Sequence, residues 1–244
     1  MMRRRELLLL GGAMAAARPL RAQQKALPVI GFLSNETSDA FAPAVAAFRK
    51  ALNDAGYVDG QTAAIEYRWA EGRYDLLPAL AADLVGRKVE VIATGSTTAI
   101  RAAKSATSTI PIVFVGGGDP VRNGLVASLA RPGGNLTGVS IMASELMPKR
   151  LELLSDLVPQ TRLVALLVNP NNPDTEPMIR DLQEAARTKG VQLPILNAAS
   201  ESEIDAAFAS LVQPQAGGLV ARALDSSVRT FQTHLTLFLS SHAQ

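Results

Sequence analysis

The sequence predicts an α/β protein of two lobes, each built on a parallel sheet. Three observations point there. Short continuous apolar runs alternate with amphipathic stretches between residues 28 and 221, the pattern of strands buried on both faces and of the helices that cover them. The alternation breaks near Ser140–Ser144 and then starts again. The chain has 244 residues, 48% of them hydrophobic and 19% charged, which is enough for two ordinary cores.

In the first lobe, residues 28–141, "PVIGFL" (Pro28–Leu33) is a strand ending in a polar turn. Phe41, Val45, Phe48 and Leu52 then recur at steps of four, three and four, one face of a helix closed by Gly56. "AIEYRW" (Ala64–Trp69) alternates as a strand, and Leu77, Leu80 and Leu84 mark a second helix. "VEVIAT" (Val89–Thr94) is a strand, and "GSTTAIRAAKSAT" is a helix opening on hydroxyls. "IPIVFV" (Ile110–Val115) is the next strand, followed by a short helix around Leu125–Leu129 and a last strand at Asn135–Ser140.

In the second lobe, residues 142–221, Met147, Leu151, Leu154 and Val158 form a helix stripe ended by Pro159. "RLVALLV" (Arg162–Val168) is a buried strand, and Met178, Leu182 and Ala185 mark a helix stopped by Gly190. "VQLPIL" (Val191–Leu196) is a strand. Ser200 and Glu203 make a capping box ahead of Ile204, Phe208 and Leu211. "GGLVA" (Gly217–Ala221) begins one more strand.

Residues 1–22 read as an export signal: a basic start, an apolar run from Leu7 to Ala17, and small residues before a cut near Ala22. The run is too short to span a bilayer. "RRELL" at Arg4–Leu8 also fits a loose twin-arginine pattern, so both general and twin-arginine export stay open. Five of the 24 basic residues and one of the 22 acidic ones lie in this stretch, so the formal charge of +2 becomes −2 once it is removed. No basic block remains that would hold a nucleic-acid backbone. The absence of cysteine excludes disulfides, thiolate metal sites, cysteine nucleophiles and a lipid-bearing N-terminal cysteine. The two histidines, His234 and His242, lie at the far end, so no Ser–His–Asp set or histidine metal site can be built from the body of the chain. There is no phosphate loop. "GGGDPVRNG" misses dinucleotide spacing because Val121 stands where the last glycine is needed. No catalytic residues, metal ligands or cofactors are therefore expected, and a binder is favoured over an enzyme.

Open parallel sheets bind ligands beyond the C-terminal ends of their strands. Those ends here are "SNETSD" (Ser34–Asp39), "TGSTT" (Thr94–Thr98), "GGGDP" (Gly116–Pro120), "SIMAS" (Ser140–Ser144) and "NPNNPD" (Asn169–Asp174). All are rich in Ser, Thr, Asn, Asp or Gly, and helices begin beside them, where unpaired backbone N–H groups point outward. Taken singly, each is also an ordinary turn or cap. Together they are expected to converge on one cleft, with Gly116–Gly118 admitting a solute and Asp119 accepting from an ammonium or hydroxyl.

"GYVDGQ…IEYRWAEGRYDLLPALAADLV", "IPIVFVGGGDPVRNGLVASLARPGGNLTGVS" and "KRLELLSDLVPQTRLVALLVNPNNP" resemble the ABC-transporter substrate-binding proteins that include tryptophan- and tyrosine-binding members, from about Val29 to Ala221. The resemblance implies two Rossmann-like lobes of the type I periplasmic-binding-protein fold. It implies a small solute, an amino acid first, and an ABC permease in the inner membrane as partner. The protein would be periplasmic, with no direct membrane insertion after signal removal. In that frame Ser96, Thr97 and Thr98 would take the solute carboxylate and Asp119 its ammonium. Ser34 and Asn35 would line the same lobe. Asn169, Asn171 and Asn172 would reach from the second lobe, with Asn169 and Asn172 readable equally as turn residues. An extracytoplasmic sensory domain on the same fold is the alternative. Residues 222–244 depart from the family, which continues with a longer second lobe. The sequence thus predicts an incomplete second lobe and an atypical tail, from a shifted reading frame or a short variant, and a weakened or non-functional binder with exposed apolar surface on that lobe.

Overall fold

The computed structural model describes residues 27–116, 118–141, 146–172, 174–211 and 217–221. The proposed signal, Gly117, most of the junction after Ser140 and the tail lie outside those residues.

Lobe one is a five-stranded parallel sheet. Its strands are β1 (Val29–Ser34), β2 (Ala64–Trp69), β3 (Val91–Thr94), β4 (Ile112–Val115) and β5 (Leu136–Val139), in the order β2-β1-β3-β4-β5. Its helices are α1 (Ala42–Asp54), α2 (Leu77–Gly86, entered through one 3-10 turn) and α3 (Thr97–Ala106). Register assigns the faces. Gly31, Ile92, Ile112 and Leu136 lie in one row, as do Leu33, Thr94 and Phe114, and these rows meet α2 and α3. The resulting core joins Leu33, Ile92, Ile112 and Phe114 to Leu77 and Leu84 of α2 and Ile100 of α3. A methyl on Gly31 would already touch Leu84 at 3.1 Å, so α2 packs close to the strand here.

The opposite face carries α1 over an aromatic cluster. The Phe32 ring packs against Phe41, Phe48, Tyr67 and Trp69, with centroids 5.2–6.2 Å away. Phe41, Val45, Phe48 and Leu52, the stripe read from the sequence, are the half-buried positions of α1, and no residue of this helix is fully buried. Burial pushes the Tyr67 phenol up, and its hydroxyl has no hydrogen-bond partner. Farther along the same face, Val113, Val115 and Val139 are 42%, 56% and 66% exposed, and no helix among the described residues covers them. Large apolar side chains are exposed on lobe two as well, at Leu146, Leu153, Leu157 and Val158.

Lobe two is a three-stranded parallel sheet, β6 (Val164–Val168), β7 (Ile195–Asn197) and β8 (Gly218–Ala221), in the order β7-β6-β8. Helices α4 (Met147–Leu157) and α5 (Thr175–Lys189) cover one face, and α6 (Glu201–Leu211) covers the other. β6 is buried throughout, as its unbroken apolar run requires. Gly190 ends α5 in the left-handed region, φ 65°, which suits a residue without Cβ.

The capping box forms. Ala199 and Ser200 donate backbone N–H groups to Glu203 Oε2 at 2.6 and 3.0 Å, and Glu203 N–H donates to Ser200 Oγ at 3.3 Å. These bonds, that from Ala199 first, hold the Glu203 carboxyl below its ordinary range. A depressed carboxyl stabilises the fold above its unfolded-state pKa and loses that contribution as pH falls through the folded-state value. Glu203→Gln should therefore flatten part of the acid side of a stability–pH profile followed by urea unfolding, and an unchanged acid limb would contradict it.

One element differs. The short helix expected around Leu125–Leu129 is a run of turns. Leu125 and Val126 both donate to Pro120 O, Gly124 takes φ 65°, and Ala127 donates to Pro132 O. Leu125 and Val126 are buried, so their apolar character reports insertion into the core rather than a helix face.

Candidate functional site

Because the strands of lobe one are parallel, the loops after β1, β3 and β4 leave the same edge of the sheet, and β1 and β4 flank β3. Ser34 and Asn35 follow β1 and are both 4% exposed. Ser34 Oγ accepts from Glu36 N–H at 3.1 Å, Asn35 Nδ2 donates to Glu36 Oε1 at 3.1 Å, and Asn35 O accepts from Gly72 N–H at 2.7 Å. This loop is tied to the end of β2 as well as to itself.

Ser96 is the N-cap of α3. It is extended, its Oγ accepts from Ala99 N–H at 3.2 Å, and it lies 3.1 Å from Thr98 Oγ1. Thr97 is buried. The side chain of Phe41, at the start of α1, reaches the same place. A methyl on Gly95 would stand 3.7 Å from the tip of that ring and 3.5 Å from Val115 O. After β4, Asp119 Oδ1 accepts from the N–H groups of Val121 and Arg122 at 2.9 and 3.0 Å. The aspartate that the sequence marks as a polar contact thus also shapes its own turn.

On lobe two, Asn169 Oδ1 accepts from Asn171 N–H at 2.9 Å and Asn172 Oδ1 from Asp174 N–H at 2.9 Å. Thr175 Oγ1 donates to Asn169 O at 2.7 Å. Through these bonds Asn169 and Asn172 shape the turn that enters α5.

Two ion pairs link lobe one to α5 of lobe two. Arg101, one turn into α3, pairs with Asp174 at the N-cap of α5, Nη1 to Oδ1 3.3 Å. Arg122, in the loop after β4, pairs with Asp181 of α5, Nη2 to Oδ2 3.0 Å. Sequence reading missed all four residues. The partners lie 73 and 59 positions apart, so no local spacing signals them. A separate groove of about 610 Å³ runs between α1 and β2, lined by Val45, Arg49, Asn53, Tyr67 and Trp69 among others, and includes none of the nine candidate residues. Among the described residues no group of three or more metal-ligating side chains occurs, and no helix is long and apolar enough to cross a membrane.

Residues 26–227 match the model of the family described as ABC transporter substrate binding protein. The chain belongs to that family. A curated member, the tyrosine-binding protein of Clostridioides difficile (strain R20291), is 33% identical over 165 residues, 68% of this chain and 47% of that relative. The chain therefore spans about half the length of this relative. Among solved structures, a conserved domain protein from Vibrio cholerae O1 biovar El Tor superposes with a TM-score of 0.69 at 23% identity, covering 88% of this chain and 70% of that one. An ABC domain from Streptococcus pneumoniae in complex with L-Trp gives 0.70 at 21% identity, covering 88% and 72%. At these identities the solved structures speak for the fold of this substrate-binding protein, two Rossmann-like lobes of the type I periplasmic-binding kind.

Proposed function

We propose that this chain is the solute-binding component of an ABC-type uptake transporter and that its solute is an amino acid. The observation that carries the reading is the Arg101–Asp174 ion pair, which brings the first turns of α3 in lobe one to the N-cap of α5 in lobe two. Helix starts offer unpaired N–H groups and a positive dipole end, which favour a carboxylate. Ser96, Thr97 and Thr98 are assigned the carboxylate and Asp119 the ammonium. Ser34 and Asn35 line the first lobe, and Asn169, Asn171 and Asn172 the second. Family membership and the tyrosine-binding relative support an amino acid over a sugar. The protein acts as a binder rather than an enzyme, in the periplasm after export through the signal at residues 1–22, and delivers its solute to an inner-membrane permease.

Calorimetric titration with L-tryptophan, L-tyrosine, L-phenylalanine and L-leucine tests the solute class. Saturable heat with at least one of them, reduced tenfold or more by Asp119→Asn, is expected. Flat traces for all four, together with a different class of molecule recovered by mass spectrometry from the purified protein, would overturn it.

A further inference from the structure

The two cross-lobe ion pairs have a geometry that single surface pairs lack. Both run from an arginine of lobe one to an aspartate of the same helix of lobe two. Asp174 and Asp181 are seven positions apart, two turns of α5, so they stand on one side of the helix about 10 Å apart. One contact would leave α5 free to pivot, whereas two fix the direction of its axis against lobe one. The lobe-one anchors also belong to two different segments, Arg101 to α3 and Arg122 to the loop after β4. Arg101 follows Ser96–Thr98 by one turn, and Arg122 donates its own backbone N–H to Asp119 Oδ1.

We infer that Arg101 and Arg122 are positioning residues that clamp α5 across the cleft, so that lobe spacing, and with it solute affinity, is set by charge and weakens with salt. The affinity half of this statement rests on the proposed solute cleft. The spacing half does not. The side chains are 44% and 18% exposed in the Arg101–Asp174 pair and 58% and 41% exposed in the Arg122–Asp181 pair, so both are open enough to be screened. Exposed pairs shift an equilibrium by up to about fivefold each, which makes about tenfold a reasonable expectation for the two together.

The chain has no native cysteine, so spin labels can be placed at Ala47→Cys on α1 and Gln183→Cys on α5, both exposed, and the lobe-to-lobe distance distribution read by double electron–electron resonance without solute. At 20 mM NaCl a single narrow distribution is expected. It should broaden toward longer distances at 500 mM NaCl and in Arg122→Asp, and narrow again when Arg122→Asp is combined with Asp181→Arg. Arg101→Gln should broaden it further in the Arg122→Asp background. Identical distributions in all of these would overturn the clamp whatever the protein binds. If the distances respond but none of the four amino acids binds, the clamp stands and the assigned solute class falls.

Discussion

Gly116→Val should cost about 2–4 kcal/mol of stability and lower the melting temperature by roughly 10 °C, followed by circular dichroism. Two features of the position add. Its φ is +111°, a conformation that residues with a Cβ rarely adopt. A Cβ there would also stand 2.5 Å from Gly95 O, a backbone atom that cannot swing away. The Gly116 N–H donates to Val139 O at 2.8 Å, so the residue is held between the tip of β3 and the end of β5 and cannot relax outward without breaking that bond. Gly124→Ala is the control. It too has positive φ, 65°, but no atom within 4 Å of the added methyl, so it should cost about 1 kcal/mol. Equal losses at the two positions would mean that dihedral strain alone matters and that the approach of Gly95 does not. Gly116 therefore has a structural duty that precedes any solute. It lets two strand tips touch, and the carbonyl it admits belongs to the protein itself.

Strands and helices were legible because their signals are local. "AIEYRW" coincides with β2, the stripe Phe41, Val45, Phe48 and Leu52 is the inward side of α1, and the Ser200–Glu203 box closes as the residue types dictate. The turn after β4 was misread because burial of Leu125 and Val126 looks the same in a sequence whether a helix or a folded loop delivers them. In the candidate site, polar strand-end loops could be located from fold class alone. Their internal hydrogen bonds could not, since Asn169 and Asn172 serve a turn as readily as a ligand. Arg101, Arg122, Asp174 and Asp181 stayed hidden because exposed charges are common on any helix and loop, and only tertiary folding decides which two meet.

Leu166→Ala should remove about 2–5 kcal/mol from lobe two while leaving lobe one almost untouched. Leu166 is fully buried in the central strand β6, paired in register with Ile195 and Val220, and it shares a core with Met147, Leu151, Met178 and Leu182. None of the residues in that core, or in the smaller one under α6, belongs to the core of lobe one. Two exposed ion pairs contribute about 0.2–1 kcal/mol each, too little to make two separate cores melt as one. Unfolding should therefore show two transitions. The single tryptophan separates them, because Trp69 lies in the aromatic cluster of lobe one against Phe32, Phe41 and Tyr67. In Leu166→Ala, tryptophan fluorescence should report an unmoved transition, while circular dichroism shows a second one lowered by about 10–20 °C. If fluorescence and circular dichroism shift together, the lobes unfold as one cooperative unit. The coupling across the cleft would then exceed what two surface pairs can supply, and some further contact between the lobes would have to carry it.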